Sequence, residues 1–424
     1  MRATGYACGP VIPTDVPFAN PMIRLTAPLL ASLLAPLTTS SDDYTWPQWD
    51  GPDRSNVSRE TAWSSEGVEQ DLWRKEVGLG YSTVVVADGR LFTMGYDKDT
   101  GLDTIWCFEP VTGEELWTHS YESEIWNRAH EGGTVNTPSI DGDVLYSLNR
   151  EGNLFCLDVK TGEVIWHTFL KPEENPHELE YPVWGFSASP LVLDDRIYLN
   201  CGRILAVDKK TGEVQWASKD YGHAYGTPTA FEFDGKPMIV TLNAQGVGVI
   251  SREDGSEVYF HEFKGENRGV NAATPIVIDD AVFVSSGTIP AGALLAFGEG
   301  ELVPVWQNRE MVNSFSGCVR MGDHLYGFDG QILKCVNFEG ETVWQERGIG
   351  NGAVSGAGDS VLAMSADGEL IVLKANPEDF EEQSRAKIFE EGRYWTKPIL
   401  VNGIIYCRSS KGGLVARDHR ASSN

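Results

Sequence analysis

A six-residue stretch that repeats along the chain constrains its fold more than any other feature. The stretch TGEVIW at 161–166 recurs as TGEELW at 112–117 and as TGEVQW at 211–216. Looser copies of it lie at 254–259, 298–306 and 339–344. Repeats with a period of roughly 40–50 residues are typical of propellers and solenoids, so this repeat decides the fold class before any other pattern does.

Each copy of the stretch ends a longer unit of short strands. SPLVLDDRIY at 189–198 is typical of two strands joined by an acidic turn, and LFCLD at 154–158 is typical of the strand that follows. The Thr-Gly turn and a strand carrying Trp complete the unit. Four short alternating strands with turn residues between them indicate one blade of a β-propeller.

Large aromatic residues near the end of each unit count the blades. We assign them to Trp73, Trp117, Trp166, Trp216, Tyr259, Trp306, Trp344 and Phe389. The strand of Trp73 is not preceded by the three other strands of a blade. The last unit has those three strands but lacks the strand with the aromatic residue. We therefore predict an all-β, eight-bladed propeller over 70–418, with four antiparallel strands per blade and the strand of Trp73 completing the last blade, because ring closure removes exposed sheet edges.

The charge of the chain limits its partners. Acidic residues outnumber basic ones by 61 to 34, which gives a net charge of −27. Such a charge argues against nucleic acid or an anionic membrane as the main partner, and it favours a protein that stays apart from its neighbours or one that has a basic partner. We expect a monomer.

The first residues are typical of a targeting signal. Met22 and Arg24 precede an apolar run at 25–37 and small residues up to Ser41, which is a secretory pattern and too short to span a membrane. We expect residues 1–41 to be a doubtful start followed by a signal peptide, 42–69 a clamp on the body and 419–424 a tail. We therefore expect a soluble protein without transmembrane segment, exported to the periplasm or the cell surface.

Three of the seven cysteines occupy one position of the repeat. Cys107, Cys156 and Cys335 stand where other copies have Ala, so we expect packed thiols in separate blades. An exported protein can form a disulfide among Cys201, Cys318 and Cys407, but the sequence does not determine which of them pair.

The loops that precede the inner strands are the expected place for a binding site, because ligands of propellers usually bind where these loops meet at the central channel. Aromatic, amide and charged residues fall in these loops and form a candidate channel mouth: Arg128, Glu131, Asn136, Trp184, Tyr225, Arg268, Asn271 and Trp395. Zinc and nucleophile-elbow motifs are incomplete: no His-Glu pair has its second His, and GFSAS at 185–189 lacks the closing Gly.

The repeat resembles a known one. The order Ser/Thr-Pro, Asp-Gly, a strand ending in Asp, and Thr-Gly-Glu-x-x-Trp is similar to the pyrroloquinoline quinone (PQQ) repeat of quinoprotein dehydrogenases, which lipoproteins of outer-membrane barrel assembly share without the cofactor. WPQWDGP at 46–52, WGFSASP at 184–190 and VNAATP at 270–275 look like exported PQQ-like propellers of planctomycete-type bacteria, some of them named polyvinylalcohol-dehydrogenase-like.

The resemblance leaves three functions open. The leading hypothesis is an exported scaffold that binds a protein, a small molecule or a polymer at the channel mouth. The alternative is a PQQ- and calcium-dependent alcohol dehydrogenase, for which the metal ligands would be Glu131, Asn136 and Asn271. The adjacent cysteine pair typical of those enzymes is missing. The third hypothesis is a carbohydrate-binding propeller that stacks sugars on Trp184, Tyr225 and Trp395.

Overall fold

A computed structural model of the chain describes residues 44–67, 70–127, 129–171, 176–177, 179–264, 270–287 and 291–421. The expected signal peptide lies outside these residues. The described residues contain 33 β-strands and no α-helix. No helix in this part of the chain is therefore long and apolar enough to cross a membrane.

The strands form eight sheets, each built on a blade of four antiparallel strands, which follow chain order from the inner to the outer strand in the first seven blades. In the seventh blade β1 (Val57–Ser58) adds a fifth strand, parallel to the inner one. The first four blades are β3–β6, β7–β10, β11–β14 and β15–β18. Their strands are β3 (Val85–Ala87), β4 (Arg90–Asp97), β5 (Leu102–Phe108), β6 (Glu115–Glu122), β7 (Ser139–Asp141), β8 (Val144–Leu148), β9 (Asn153–Asp158), β10 (Val164–Phe169), β11 (Leu191–Leu193), β12 (Arg196–Asn200), β13 (Ile204–Asp208), β14 (Val214–Ala217), β15 (Thr229–Phe233), β16 (Lys236–Asn243), β17 (Gly246–Ser251) and β18 (Glu257–Glu262).

The last four blades are β19–β22, β23–β26, β27–β30 and β31–β33 together with β2. Their strands are β19 (Ile276–Ile278), β20 (Ala281–Ser285), β21 (Gly292–Phe297), β22 (Leu302–Asn308), β23 (Val319–Met321), β24 (His324–Asp329), β25 (Ile332–Asn337), β26 (Thr342–Glu346), β27 (Ala353–Ala357), β28 (Ser360–Met364), β29 (Glu369–Lys374), β30 (Glu382–Lys387), β31 (Ile399–Val401), β32 (Ile404–Arg408), β33 (Gly413–Asp418) and β2 (Asp71–Glu76).

The N-terminal strand closes the ring, as predicted. In β2, Trp73 lies opposite Ala416 of β33, and Asp71 forms an ion pair of 2.9 Å with Arg417. The eighth blade thus combines both ends of the chain. The fold is an eight-bladed β-propeller.

The hydrophobic core is divided among the interfaces between blades. Among the described residues, buried apolar side chains form eight clusters, one for each pair of neighbouring blades. The six cysteines at 107–407 are free and buried, and Cys107, Cys156 and Cys335 lie directly opposite Trp residues of the next strand.

The repeated Trp and the repeated Gly meet across these interfaces. The indole of Trp73 in the eighth blade donates a hydrogen bond of 2.8 Å to the carbonyl of Pro110, just before the Thr-Gly turn of the first blade. A Cβ on Gly113 of that turn would lie 2.7 Å from the same indole. Trp117 and Gly162 repeat the arrangement between blades 1 and 2. The motif is therefore a joint between neighbouring blades.

One of the eight predicted aromatic positions was wrong. In the seventh blade the register places Ser384 where other blades have Trp, and Phe389 lies beyond the end of β30, stacked on Tyr394. The spacing of the repeat could not separate the two positions, because the turn before this strand is longer. Trp63, from the N-terminal segment, packs instead on the cluster between blades 7 and 8.

The expected clamp is described from 44 to 67, and its residues 46–58 lie against the inner strands of the ring. Trp46 pairs with Val86 of the first blade, and β1 (Val57–Ser58) pairs in parallel with β27 of the seventh. The indole of Trp49 donates to Thr274 before the inner strand of the fifth blade, at 3.1 Å. The segment therefore lies across the central channel and fills part of it.

Candidate functional site

A cavity of about 370 Å³ opens at the end of the channel where the inner strands begin. Its walls come from the loops before these strands, as the sequence predicts for a propeller. The residues that line it are Trp49, Tyr81, Ala129, His130, Val135, Trp184, Ser187, Ser189, Tyr225, Thr227, Val270, Ala272, Gly287, Ser314, Phe315, Arg393 and Trp395. We call this cavity the mouth cavity.

One wall of the mouth cavity is a row of stacked rings. Phe315 and Trp395 are stacked with 4.0 Å between ring centroids, and Trp395 and Tyr81 with 4.9 Å. The guanidinium of Arg393 lies 5.3 Å above the Trp395 ring. Another part of the wall holds Trp184 and Tyr225, edge to face at 5.5 Å. Such rings offer large apolar faces to a ligand at low conformational cost.

A polar group fixes the end of this row. The Tyr81 hydroxyl donates a hydrogen bond of 2.7 Å to Glu131, which also faces Arg393 at 3.4 Å and Lys411 at 3.9 Å. Burial acts to raise the pKa of Glu131, but the Tyr81 hydroxyl and the two cations outweigh it and bring the pKa below its ordinary value. The carboxylate stays charged and holds Tyr81 in position.

His130 completes the row as a neutral ring. Its Nδ1 accepts the N–H of Gly132 at 3.1 Å, and its ring meets those of Tyr81 and Trp395 edge on. Burial, followed by the charge of Arg150, lowers the pKa of His130 to about 4. At neutral pH the imidazole is therefore uncharged and adds a further flat ring to the cavity.

The three residues predicted as metal ligands each have other partners in this structure. The Asn136 carboxamide donates to the carbonyl of Ala188 in the next blade at 2.9 Å, and that of Asn271 donates to the carbonyl of Asn243 at 2.8 Å. Both side chains are buried and hold blades together. Glu131 is held by a tyrosine and two cations. Among the described residues, no three His, Cys, Asp or Glu side chains cluster as metal ligands do.

Five further residues were predicted for the channel mouth, and the structure describes three of them. Trp184, Tyr225 and Trp395 line the mouth cavity, and their role in binding stays a prediction. Arg128 and Arg268 lie outside the described residues, so the charges expected from them remain predictions. Arg393 is the described arginine that lines the cavity.

Sequence reasoning missed the floor of the cavity. Trp49 lines it from below, with the ammonium of Lys397 4.0 Å above its ring, and Lys397 also forms a buried ion pair with Asp50. A local signal for this contact exists. Lys397 precedes Pro398 where the equivalent residues of other blades are Thr137, Ser189 and Thr274. A cation in a small-residue position indicates a partner from elsewhere.

Comparison with known proteins agrees with the fold. Residues 102–346, more than half of the chain, match the PQQ_2 family model, described as "Outer membrane protein assembly factor BamB". The quinoprotein ethanol dehydrogenase of Pseudomonas aeruginosa is 23% identical over 232 residues, which cover 50% of this chain and 35% of that protein. The outer membrane protein assembly factor BamB of Shewanella oneidensis is 27% identical over 150 residues, covering 35% and 33%.

Solved structures share the architecture. BamB from Moraxella catarrhalis superposes with a TM-score of 0.60 at 18% identity, covering 84% of this chain and 99% of that one. The quinohemoprotein alcohol dehydrogenase of Comamonas testosteroni gives 0.60 at 13% identity, covering 90% and 81%. The chain spans about a third of the curated relatives named above. The fold and the matched repeat together show that the chain belongs to the PQQ_2 family of PQQ-like propellers, the family described as outer membrane protein assembly factor BamB.

Proposed function

We propose that this protein is an exported binding module, a scaffold whose partner inserts an apolar group into the mouth cavity. The observation that carries the proposal is the stacked row of Phe315, Trp395 and Tyr81 beside an open cavity of about 370 Å³. Phe315 is 41% exposed, so a large apolar surface faces solvent here. Exposed aromatic clusters in a concave site are typical of binding sites.

The rim of the cavity supports a protein segment as the partner. Arg393 and Lys411 are half exposed at this rim, in a chain whose overall charge is −27. A segment with an apolar or aromatic side chain and an acidic neighbour would fill the cavity and meet these cations. Export rests on the apolar run that ends before Ser41, and placement in the periplasm or at the cell surface belongs to the same proposal.

The rival function is that of a PQQ- and metal-dependent alcohol dehydrogenase, which the name of the Pseudomonas aeruginosa relative motivates. Among the described residues, no three His, Cys, Asp or Glu side chains cluster as a metal of that chemistry would need, and each of the three expected ligands has another partner. Glu131 is bound by Tyr81 and two cations, and Asn136 and Asn271 bond backbone carbonyls.

The stacked rings also support a second candidate, a carbohydrate-binding propeller. Sugar rings pack their apolar faces on aromatic side chains, and Trp184, Tyr225 and Trp395 all present rings to the same cavity. A polymer chain would thread past two of these rings at once. Binding of glycans that disappears on replacing these three residues by Ala would favour this candidate.

The experiment is capture of partners by the immobilised protein from an extract of exported proteins, with two matched variants. Phe315→Ala removes an exposed ring at the mouth, and Phe169→Ala removes one that is 47% exposed on an outer strand. We expect the parent and Phe169→Ala to capture the same protein and Phe315→Ala to lose it. Equal capture by all three, or tight calcium-dependent PQQ binding in calorimetry, would overturn the proposal.

A further inference from the structure

A second cavity, of about 270 Å³, lies further along the channel and shares the walls Trp49, Ala272 and Trp395 with the mouth cavity. Its other walls are the N-terminal segment at 50–56 and residues in or just before the inner strands of blades 4 to 8. We call it the lower cavity. The side chain that separates the two cavities decides how deep a group from the mouth can reach.

Among the three shared residues, Trp49 forms the partition. Ala272 carries a single methyl group, and Trp395 is held in the wall of the mouth cavity by the stacking of its ring with those of Phe315 and Tyr81. Trp49 comes instead from the N-terminal segment, which lies against the inner strands, and its indole is the floor of the mouth cavity. The large flat ring therefore closes the mouth cavity at this depth.

Two contacts hold the indole of Trp49 from the side of the lower cavity. Its Nε1 donates a hydrogen bond of 3.1 Å to the Thr274 hydroxyl, and the ammonium of Lys397 lies 4.0 Å from the centre of its ring. Thr274 and Lys397 both line the lower cavity. A bonded indole N–H and a cation over the aromatic face each favour one orientation of the ring. The floor of the mouth cavity is thus fixed from beneath.

The lining of the channel changes in character at this floor. Above it, the mouth cavity is walled mainly by aromatic rings. Below it, the charged side chains of Asp50, Asp53, Arg54 and Lys397 line the lower cavity. An apolar group placed against these charges would take water away from them, which is costly. An apolar group that enters from the mouth therefore meets the indole first and finds an unfavourable space behind it.

We propose that Trp49 sets the length of the apolar group that the mouth cavity accepts. The group packs between the aromatic walls until its end meets the indole, and any atoms beyond that length stay in water. This inference rests on the proposed insertion of an apolar group into the mouth cavity, and it adds the depth at which the insertion ends. The partner that fits presents a short apolar group, of the length of a protein side chain, and not a long acyl chain.

The series of linear 1-alkanols from butanol to decanol measures this length in isothermal titration calorimetry of the full chain. Each CH₂ group that enters the cavity should strengthen binding about fourfold, because its burial contributes a nearly constant free energy. We expect the affinity of the parent to level off once the chain reaches the indole. In Trp49→Ala the rise should continue to longer alkanols, over the space that the indole vacates.

Two further variants complete the test. Trp49→Phe keeps a smaller ring in the floor, so its affinities should level off between those of the parent and Trp49→Ala, and the test does not depend on the stability of the Ala variant. Trp63→Ala is the matched control, because Trp63 belongs to the same N-terminal segment, is partly buried as Trp49 is, and packs on the interface between blades 7 and 8. We expect it to level off at the same alkanol as the parent.

The outcomes separate this inference from the function on which it rests. If the parent and Trp49→Ala level off at the same alkanol, or if the affinity of the parent rises through decanol, Trp49 does not set the length, and the insertion of an apolar group into the mouth cavity still stands. If the parent binds none of the alkanols saturably, both proposals are overturned.

Discussion

The guanidinium of Arg408 in the eighth blade donates a hydrogen bond of 2.6 Å to the carbonyl of Ser82 in the first blade. It donates a second bond of 2.6 Å to the Thr93 hydroxyl and a third of 3.2 Å to the Gly78 carbonyl. Arg408 is fully buried, and these three acceptors all lie across the seam where the ring closes. Burial lowers its pKa to about 9. Closure therefore depends on a buried side chain as well as on the strand of Trp73.

Replacing Arg408 by Met tests this seam. The change removes three hydrogen bonds at the seam, so we expect a loss of about 2–4 kcal/mol in the free energy of unfolding. Urea denaturation followed by fluorescence measures it. Arg74→Met is the control, because Arg74 lies in the same blade but is half exposed. A parent-like midpoint for Arg408→Met would show that the strand alone closes the ring.

The contact between Trp73 and Gly113 predicts why the repeat needs Gly in its Thr-Gly turn. Gly113 and Gly142 both have positive φ, of 69° and 60°, but only a Cβ at Gly113 would meet the indole, at 2.7 Å, while one at Gly142 meets nothing within 4 Å. Gly142→Ala therefore measures backbone strain alone, about 1–2 kcal/mol. Gly113→Ala should lose about 1–3 kcal/mol more through overpacking.

Urea denaturation measures the free energy of unfolding of Gly113→Ala and of Gly142→Ala, and the difference between the two losses tests the contribution of the indole. Equal losses in stability would mean that Gly is needed in the Thr-Gly turn for its backbone conformation alone. The role of the indole in selecting Gly at this position would then be disproved.

The sequence predicted those parts of the fold that are repeated in every blade. Trp73, Trp117 and Trp166 recur with their Gly partners because each joint between blades has the same geometry, so one pattern predicted blade count and closure. Ser384 was not predicted at its position because the prediction relied on features that every blade repeats, and this blade departs from them. Trp63 of the N-terminal segment packs on that interface beside Phe389 and Tyr394, and a repeat pattern cannot predict a contact made by another part of the chain.

For the candidate site, the repeat pattern predicted which residues precede the inner strands but not what each side chain contacts. Trp184, Tyr225 and Trp395 line the mouth because they precede inner strands, which a repeat pattern can locate. The amides of Asn136 and Asn271 bond backbone carbonyls of other blades, at distances of 2.9 Å and 2.8 Å. Those partners lie 28 to 52 residues away, so residue type alone could not distinguish an interblade bond from a metal ligand.

The neutral state of His130 predicts a dependence of stability on pH. The pKa of His130 in the folded protein is about 4, below its ordinary value of 6.5. Between these two pH values the unfolded chain binds more protons, so this residue makes stability rise with pH from about 4 to about 6.5 and fall on acidification. His119, His167 and His419 shift in the same direction, and Asp103, with a pKa raised to about 6, opposes them.

The difference between the parent and His130→Gln isolates the contribution of His130 from the other groups. We expect the parent to lose more stability than the variant when the pH is lowered from about 6.5 to about 4, as measured by urea denaturation at several pH values. Titration of the His130 ring by NMR provides an independent check. A midpoint near 6.5 in the folded protein would contradict the buried, neutral imidazole.

The ion pair of Asp50 and Lys397 predicts how the N-terminal segment is held in the channel. The side chains are 12% and 7% exposed, and burial lowers the pKa of Lys397 while Asp50 opposes the shift. Removing one partner leaves the other charged and buried. We therefore expect Lys397→Met and Asp50→Asn each to lose about 3–5 kcal/mol of stability, and the double variant to lose much less than the sum.

An exposed pair supplies the reference for this double-mutant cycle. Lys160 and Asp143 are 3.2 Å apart, with side chains 58% and 79% exposed, so Lys160→Met should change stability by less than about 1 kcal/mol. Because Trp49 lies beneath Lys397 and lines both cavities, breaking the buried pair should also raise the fluorescence sensitivity of the protein to a quencher such as iodide. Additive losses in the double variant would show that Asp50 and Lys397 act separately, and that another contact holds the segment across the channel.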